Sequence, residues 1–531
     1  MDGGTELLAY FDRPNVQEDI LDVQYVKILP TQQPVHTQMI EFYIPRNTEQ
    51  FIDLQKSCLF VTVQIQRKDK GKFKRKAATV SKRSVGDEPT SSPGTSKDTL
   101  SRRKRDLYTP IDIKDDHYAL PINNIAHSMF KNVELEDGTE GTSIYNSNNH
   151  YPYVAYLRTL LWESTELKSN VMETTEGWVK DSFKDWADND AVSNNGATRR
   201  LQAFVQKDGT PIRMTFAYPL RGVDFWREDK LLLNGMDLRL KLTPAGDDFT
   251  LLSNYNGDNN SRARLNIEDI HLNLCKVVLH PQVVQSLSSR LGSSVASAVH
   301  TRSEIRMFHI PTGSQHGDRD PLYMGILPYK VFVFFVDAAA YNGSRSKNPF
   351  KFQNLDVEFI ALYINDKPVP HRGYQLNFSD EDDKNTCIHA WRQLLCTTAE
   401  DSLVRPTDIS FQEFLQGYTI FAFNVNPMIG ANIKDKRLPA PKYGNMRLEA
   451  RFRSNTTTPM NCMIYGLFVG ATEISGDRQV IPPGNKSTPF AQKLSPYPIT
   501  NSKGKSSNGN KKRSKGNHSG EKRKKRKKKG H

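Results

Sequence analysis

Hydrophobic and polar residues alternate with a period of two along much of this 531-residue chain. In "MDLRLKL", Met236, Leu238, Leu240 and Leu242 fall on one side of an extended backbone, and Asp237, Arg239 and Lys241 on the other. That is the pattern of an antiparallel strand with one buried face. "CLFVTVQIQ", "PIRMTFAYPL", "YKVFVFFVDAAA", "DVEFIALYIND", "YTIFAFNV", "NMRLEARFR" and "NCMIYGLFV" are further short runs rich in β-branched and aromatic residues. Each is bounded by Gly, Pro, Asn or Asp, as strands are. Helical periodicity is confined to "YVAYLRTLLWES", "VVQSLSSRLGSSVASAV" and "IHAWRQLLC". The pattern predicts an all-β chain with short helices in its loops.

Four landmarks recur in the same order. A strand and tight turn, "NVELEDGTE", returns as "IALYINDKPV", and a short helix with Leu160-Leu161 returns with Leu394-Leu395. "NGMDLRLKL" returns as "GNMRLEARF", and each copy closes on a last strand, "EDIHLNLCKVV" and "NCMIYGLFVGA". Such order predicts a duplication. Copies this long, with many antiparallel strands and a helix inserted midway, fit tandem jelly-roll β-sandwiches. They lack the Cys…Trp…Cys arrangement of an immunoglobulin sandwich. The expected division is an N-terminal arm (1–34), a first jelly roll (35–280) with a basic insertion at 67–105, a helical connector (281–300), a second jelly roll (301–476) and a Pro/Gly/Ser-rich linker with a basic tail (477–531).

Charge changes the picture by its distribution. The chain carries +14, of which residues 501–531 supply +13 and residues 67–105 supply +10, so the remainder sums to −9. Two appendages are basic and the folded body is mildly acidic, which argues against a basic nucleic-acid-reading groove. In the tail, Lys511, Lys512, Arg513 and Lys515 precede a run of Lys522, Arg523, Lys524, Lys525, Arg526, Lys527, Lys528 and Lys529. The spacing resembles a bipartite import signal for an import receptor, and the same residues suit sequence-blind contact with double-stranded DNA. The last thirty-one residues contain no aromatic, so stacking on single strands has no support. Arg102, Arg103, Lys104 and Arg105 form a second basic patch of the same kind.

Candidate chemistry adds little. Five cysteines without a CxxC pair suggest core thiols such as Cys58 and Cys275 rather than a disulfide framework or zinc site. No HExxH, GxSxG or P-loop pattern occurs, and no enzyme activity, cofactor or metal is expected. "DWADNDAVSNNGATR" has Arg199 where a calcium loop needs a Glu, and "DEDDK" reads as a solvated loop. No apolar run reaches the ~18–20 residues of a membrane span. The first residues have neither the basic start nor the apolar centre of a signal peptide, so synthesis in the cytosol is expected. "YNGSRSKNPFKFQN" leaves two readings open. Its aromatics pack on their own domain, or Arg345, Lys347 and Phe350 touch a neighbouring subunit.

"EFYIPRNTEQFIDLQKSCLFVTVQI", "INNIAHSMFKNVELEDG", "YPYVAYLRTLLW", "REDKLLLNGMDLRLKLTP", "RMFHIPTGS" and "VDAAAYNGSRSKNPFKFQN" together carry a resemblance. They are similar to blocks of double jelly-roll major capsid proteins of the Polinton (Maverick)/adintovirus type. The basic insertion and the basic tail depart from that pattern. The resemblance implies two jelly rolls side by side, a homotrimeric pseudo-hexagonal capsomer, and an icosahedral lattice with other capsid proteins such as a vertex protein. It further implies double-stranded DNA as cargo, and the virion and host nucleus as locations. A host nuclear β-sandwich binding or scaffold protein derived from such an element is the alternative.

Overall fold

Strands β1 (Ile20–Ile28), β2 (Ile40–Ile44), β3 (Gln50–Arg67), β4 (Ala119–Pro121), β5 (Phe130–Asp137), β6 (Ser143–Asn146), β7 (Arg213–Tyr218), β8 (Leu238–Pro244), β9 (Leu251–Ser253) and β10 (Ala263–Leu279) build the first half of the computed structural model. The second half contains β11 (Ala296–Ile310), β12 (Arg319–Leu327), β13 (Lys330–Asp337), β14 (Val357–Ile364), β15 (Lys367–Gln375), β16 (Phe421–Asn424), β17 (Lys442–Phe452) and β18 (Met460–Ile474). The structure describes residues 19–33, 38–67, 119–183, 194–204, 212–227, 230–253, 263–379, 384–399, 407–426, 439 and 441–481, all within one compact unit, Met1–Leu494.

The first half forms one sheet in the order β1-β10-β3-β7 and another in the order β2-β8-β5-β6; β4 and β9 pair separately. The second half forms β11-β18-β13-β16 and β12-β17-β14-β15. Setting β4 and β9 aside, each half has eight strands whose first, eighth, third and sixth make one sheet and whose second, seventh, fourth and fifth make the other. This is the jelly-roll order, present twice. The chain is a double jelly roll, all-β with short helices in its loops.

All four sequence landmarks occupy equivalent places. The two tight turns join β5 to β6 and β14 to β15; in the second, Asn365 and Asp366 both take positive φ, as two-residue hairpin turns require. The paired leucines lie in two helices, Tyr151–Trp162 between β6 and β7 and Ile388–Thr398 between β15 and β16. β8 and β17 are the seventh strands, and β10 and β18 the last. In β8 the alternation holds as written, with Leu238, Leu240 and Leu242 fully buried.

Three expected boundaries differ. The 1–34 segment is not simply an arm: β1 pairs antiparallel with β10 from Ile20↔Leu279 to Ile28↔Leu272. The connector helix runs Pro281–Ser293 and then gives way to β11 at Ala296, because Gly292, Ser293 and Ser294 end the helix and Val295 and Val299 favour extension. After β18 the chain stays in the body, where the Val480 amide donates to Asp137 of the first half (2.9 Å). Residues 477–481 of the expected linker therefore belong to the body, and the rest of it lies outside the described residues.

One hydrophobic core runs through both halves without a break. A smaller cluster of Phe51, Cys275, Val277 and Leu279 lies on the outer side of the first sheet, beneath Val283, Val284 and Leu287 of the connector helix.

Candidate assembly interface: the seam between the jelly rolls

The β6–β7 helix, "YPYVAYLRTLLW", is apolar around nearly its whole circumference. Such a helix must be enclosed on all sides, and residues Tyr151 to Leu161 are all buried. It is enclosed because the second jelly roll lies against it. Tyr156 stacks on Phe350 with ring centroids 4.0 Å apart and planes 3° from parallel. Tyr153 meets Phe350 edge-on at 5.7 Å and Phe334 at 6.4 Å, and Trp162 meets Phe332 edge-on at 5.5 Å. Phe332 and Phe334 are on the outer face of β13, since Phe335 packs inward on Phe452. β13 is thereby buried on both faces from Val331 onward. Its long apolar run, "VFVFFV", records that double burial.

Polar groups tie the seam, with carboxylates held in the first half also accepting from the second. Arg158, the one charge in the helix, donates to Asp224 at 2.7 Å, with side-chain exposures of 6% and 2%. Asp224 in turn accepts from the Ser303 amide (2.6 Å) and hydroxyl (2.8 Å) on β11 of the second half. The Arg158 guanidinium also lies 5.9 Å from the ring centre of Tyr465. Further along, Asp181 accepts from Arg200 (2.6 Å) and Asn194 (3.0 Å) of the first half and from Asn348 (3.1 Å) of the second. Lys168 donates to Asp408 (2.9 Å) and to the Leu160 carbonyl (3.0 Å); burial pulls the Lys168 pKa down, against the pull of Asp408. Lys180 pairs with Glu413 at 2.9 Å. A buried charge left alone is very costly, so these pairs fix which surface of one half meets which surface of the other.

The three residues offered as subunit contacts are all engaged within the chain. Phe350 is fully buried under Tyr156. Arg345 is 7% exposed and donates to Asp248 (2.7 Å) and the Ala263 carbonyl (2.8 Å) of the first half. Lys347 pairs with Asp337, whose pKa is held low by that bond and by the Ala339 amide against the opposing effect of burial. The "YNGSRSKNPFKFQN" stretch thus packs on its own chain through Phe350 and Arg345, whereas the Lys347 side chain, paired with Asp337 of its own half, stays 37% exposed. The basic residues 102–105 and 511–529 lie outside the described residues. Asp224, Asp181, Arg200 and Asn348 were not singled out by sequence reasoning; the signal for their seam was Arg158, a charge inside an otherwise apolar helix.

A second buried cluster sits within the first half. His127 donates or accepts toward Tyr151 (2.9 Å) and lies 3.3 Å from Glu176, which also receives Arg221 at 3.0 Å. Burial would raise the Glu176 pKa, but His127 and Arg221 outweigh it and hold it low. Among the described residues no group of His, Cys, Asp and Glu is arranged to hold a metal ion, and no helix is long and apolar enough to cross a membrane. Of the thiols, Cys275, Cys387 and Cys462 are buried, whereas Cys58 is half-buried and Cys396 exposed. Cys58 belongs to the outer face of β3 rather than the core expected for it.

No family model matches the chain. It is 24% identical over 364 residues to an uncharacterised protein of Caenorhabditis elegans, covering 67% of this chain and 80% of that one. Among solved structures it is similar to a chain of the Sputnik virophage seen by cryo-EM, with TM-score 0.53, 12% identity, and coverage of 92% of this chain and 93% of that one. It also matches the mavirus major capsid protein with TM-score 0.48 and 10% identity, covering 93% and 97% of the two chains. At such identities the likeness is one of fold.

Proposed function

We propose that the chain is a structural major capsid protein of a DNA virus or integrated element of the Polinton (Maverick)/adintovirus type. Three copies form a pseudo-hexagonal capsomer, and capsomers tile an icosahedral shell around double-stranded DNA, alongside other capsid proteins such as a vertex protein. The observation that carries this reading is the seam. Two topologically equivalent jelly rolls are locked side by side by buried aromatics and by the Lys168–Asp408 and Lys180–Glu413 pairs, so one chain presents two similar sides of a six-sided block. The likeness of fold to a Sputnik virophage chain supports it, as do the sequence blocks. No catalytic constellation contributes to the reading, and the role is one of assembly.

The basic tail serves import into the host nucleus and sequence-independent contact with packaged DNA; the motivation is the +13 concentrated in residues 501–531, where the chain outside that tail and residues 67–105 sums to −9. Electron microscopy and mass photometry of the purified full chain test the assembly role. Trimers, and shells or sheets at high concentration, are expected. Monomers alone at every concentration would overturn it.

A further inference from the structure

Among the described residues the buried Lys and Arg side chains are Arg158, Arg200, Arg345 and a single lysine, Lys168. An arginine keeps its charge in any protein setting. A lysine gives up its proton readily when buried, and its nitrogen is then a nucleophile. Lys168 lies between β6 and β7, just beyond the Tyr151–Trp162 helix, and its side chain is 4% exposed. Its Nζ donates to the Leu160 carbonyl (3.0 Å) and to Oδ1 of Asp408 (2.9 Å). Asp408 belongs to the second half, where it precedes the short helix Phe411–Leu415.

Both side chains are held in place by their surroundings. The Leu160 carbonyl also accepts from Thr407 (3.0 Å), the residue beside Asp408, so one oxygen anchors both approaching segments. The Trp178 ring centre lies 5.9 Å from the Lys168 Nζ. Lys180 donates to the Asp408 main-chain carbonyl and to Glu413, which brings a second cation up to the pair. Burial first, and then the Lys180 charge, pull the Lys168 pKa down against the pull of Asp408. The Asp408 side chain keeps 17% exposure, which leaves a small product a way out. A nucleophile fixed this close to its target reacts as though at an effective concentration of about 10⁵–10⁸ M in well-oriented cases.

We propose that Lys168 and Asp408 condense into an isopeptide bond, an amide between Nζ and Cγ that staples the first jelly roll covalently to the second. Lys168 first passes a proton to Asp408, leaving a neutral amine beside a neutral carboxylic acid. The Nζ lone pair attacks Cγ, and the carbon–nitrogen bond forms. A second proton moves from nitrogen to the departing hydroxyl, which leaves as water. Ammonium plus carboxylate hold the same atoms and charge as amide plus water, so no oxidant or other reagent is consumed. Lys180 supplies positive charge at the residue on which the intermediate's oxyanion develops. The bond would close a loop between positions 240 residues apart. It needs only the folded single chain, so its failure leaves the capsid reading untouched.

Mass spectrometry of the purified full chain, denatured after days of incubation in the folded state, tests the bond. The wild type should weigh one water less than its sequence. Trypsin should fail to cut after Lys168 and should release a branched peptide joining the Lys168 and Asp408 segments. On a denaturing gel the looped chain should run ahead of an open one. Lys168→Arg keeps a cation opposite Asp408 but has no nucleophilic amine, and Asp408→Ala removes the acceptor at a partly exposed position. Either variant should have the full mass of its sequence and the mobility of an open chain. The wild-type result decides the matter even where a variant folds poorly. A wild type of full mass that trypsin cuts after Lys168 would overturn the proposal, and so would a lost water that maps to any other pair of residues.

Discussion

Replacing Asp224 by Ala removes the carboxylate that joins Arg158 of its own half to Ser303 of the other. The carboxylate is 2% exposed, and it balances an Arg158 guanidinium that is itself 6% exposed. Removing one partner of a buried pair leaves an uncompensated charge and costs about 3–5 kcal/mol. The Ser303 amide and hydroxyl lose the same acceptor, adding about 1–3 kcal/mol for a buried donor left unpaired. The single variant should therefore lose about 4 kcal/mol or more. The double variant Arg158→Met with Asp224→Ala removes the stranded charge and should recover most of it, because a buried pair replaced by apolar groups is often neutral. The residual loss is the Ser303 contribution. Urea unfolding followed by tryptophan fluorescence and by circular dichroism measures both, provided the slope with denaturant stays constant. A double variant as unstable as the sum of the singles, or an Asp224→Ala protein within about 1 kcal/mol of the parent, would refute the reasoning.

Phe350→Ala should cost about 3–5 kcal/mol, since the ring is fully buried and stacked on Tyr156, and Phe350→Leu should cost clearly less in the same assay. Glu176 has a folded pKa below its ordinary value. Its contribution is therefore present above the ordinary carboxylate range and is lost as pH falls through the folded value; Glu176→Gln should flatten the acid side of a stability–pH curve, and an unchanged acid limb would count against the cluster. Deleting residues 501–531 should leave the oligomeric state intact and flatten the salt dependence of DNA binding. If about ten phosphates are neutralised, the intact chain's log–log slope is near −9, and equal slopes for both proteins would remove the tail from DNA contact.

The repeated jelly roll was legible because its markers are local. Tight turns, paired leucines and alternating strands such as "MDLRLKL" each occupy a few adjacent residues, and their order survives loops of different length. β1 was not legible, because Leu21, Val23 and Tyr25 are exposed on an edge strand and give no buried face to read. The seam was harder still. Arg158 and Asp224 are 66 residues apart, and Asp224 and Ser303 are 79 apart, so no window of sequence holds the pair. "YNGSRSKNPFKFQN" illustrates the same limit: its particular composition was visible, but whether its aromatics met this chain or another depended on a partner helix nearly 200 residues upstream.

Because the seam is closed by interlocking rings and matched charges rather than by a greased surface, the two halves cannot slide or hinge without breaking several contacts together. A body of this kind behaves as a rigid brick. Where a curved or faceted surface is built from such bricks, the bending falls on the joints between chains, and differences in local curvature are written there and not inside the subunit.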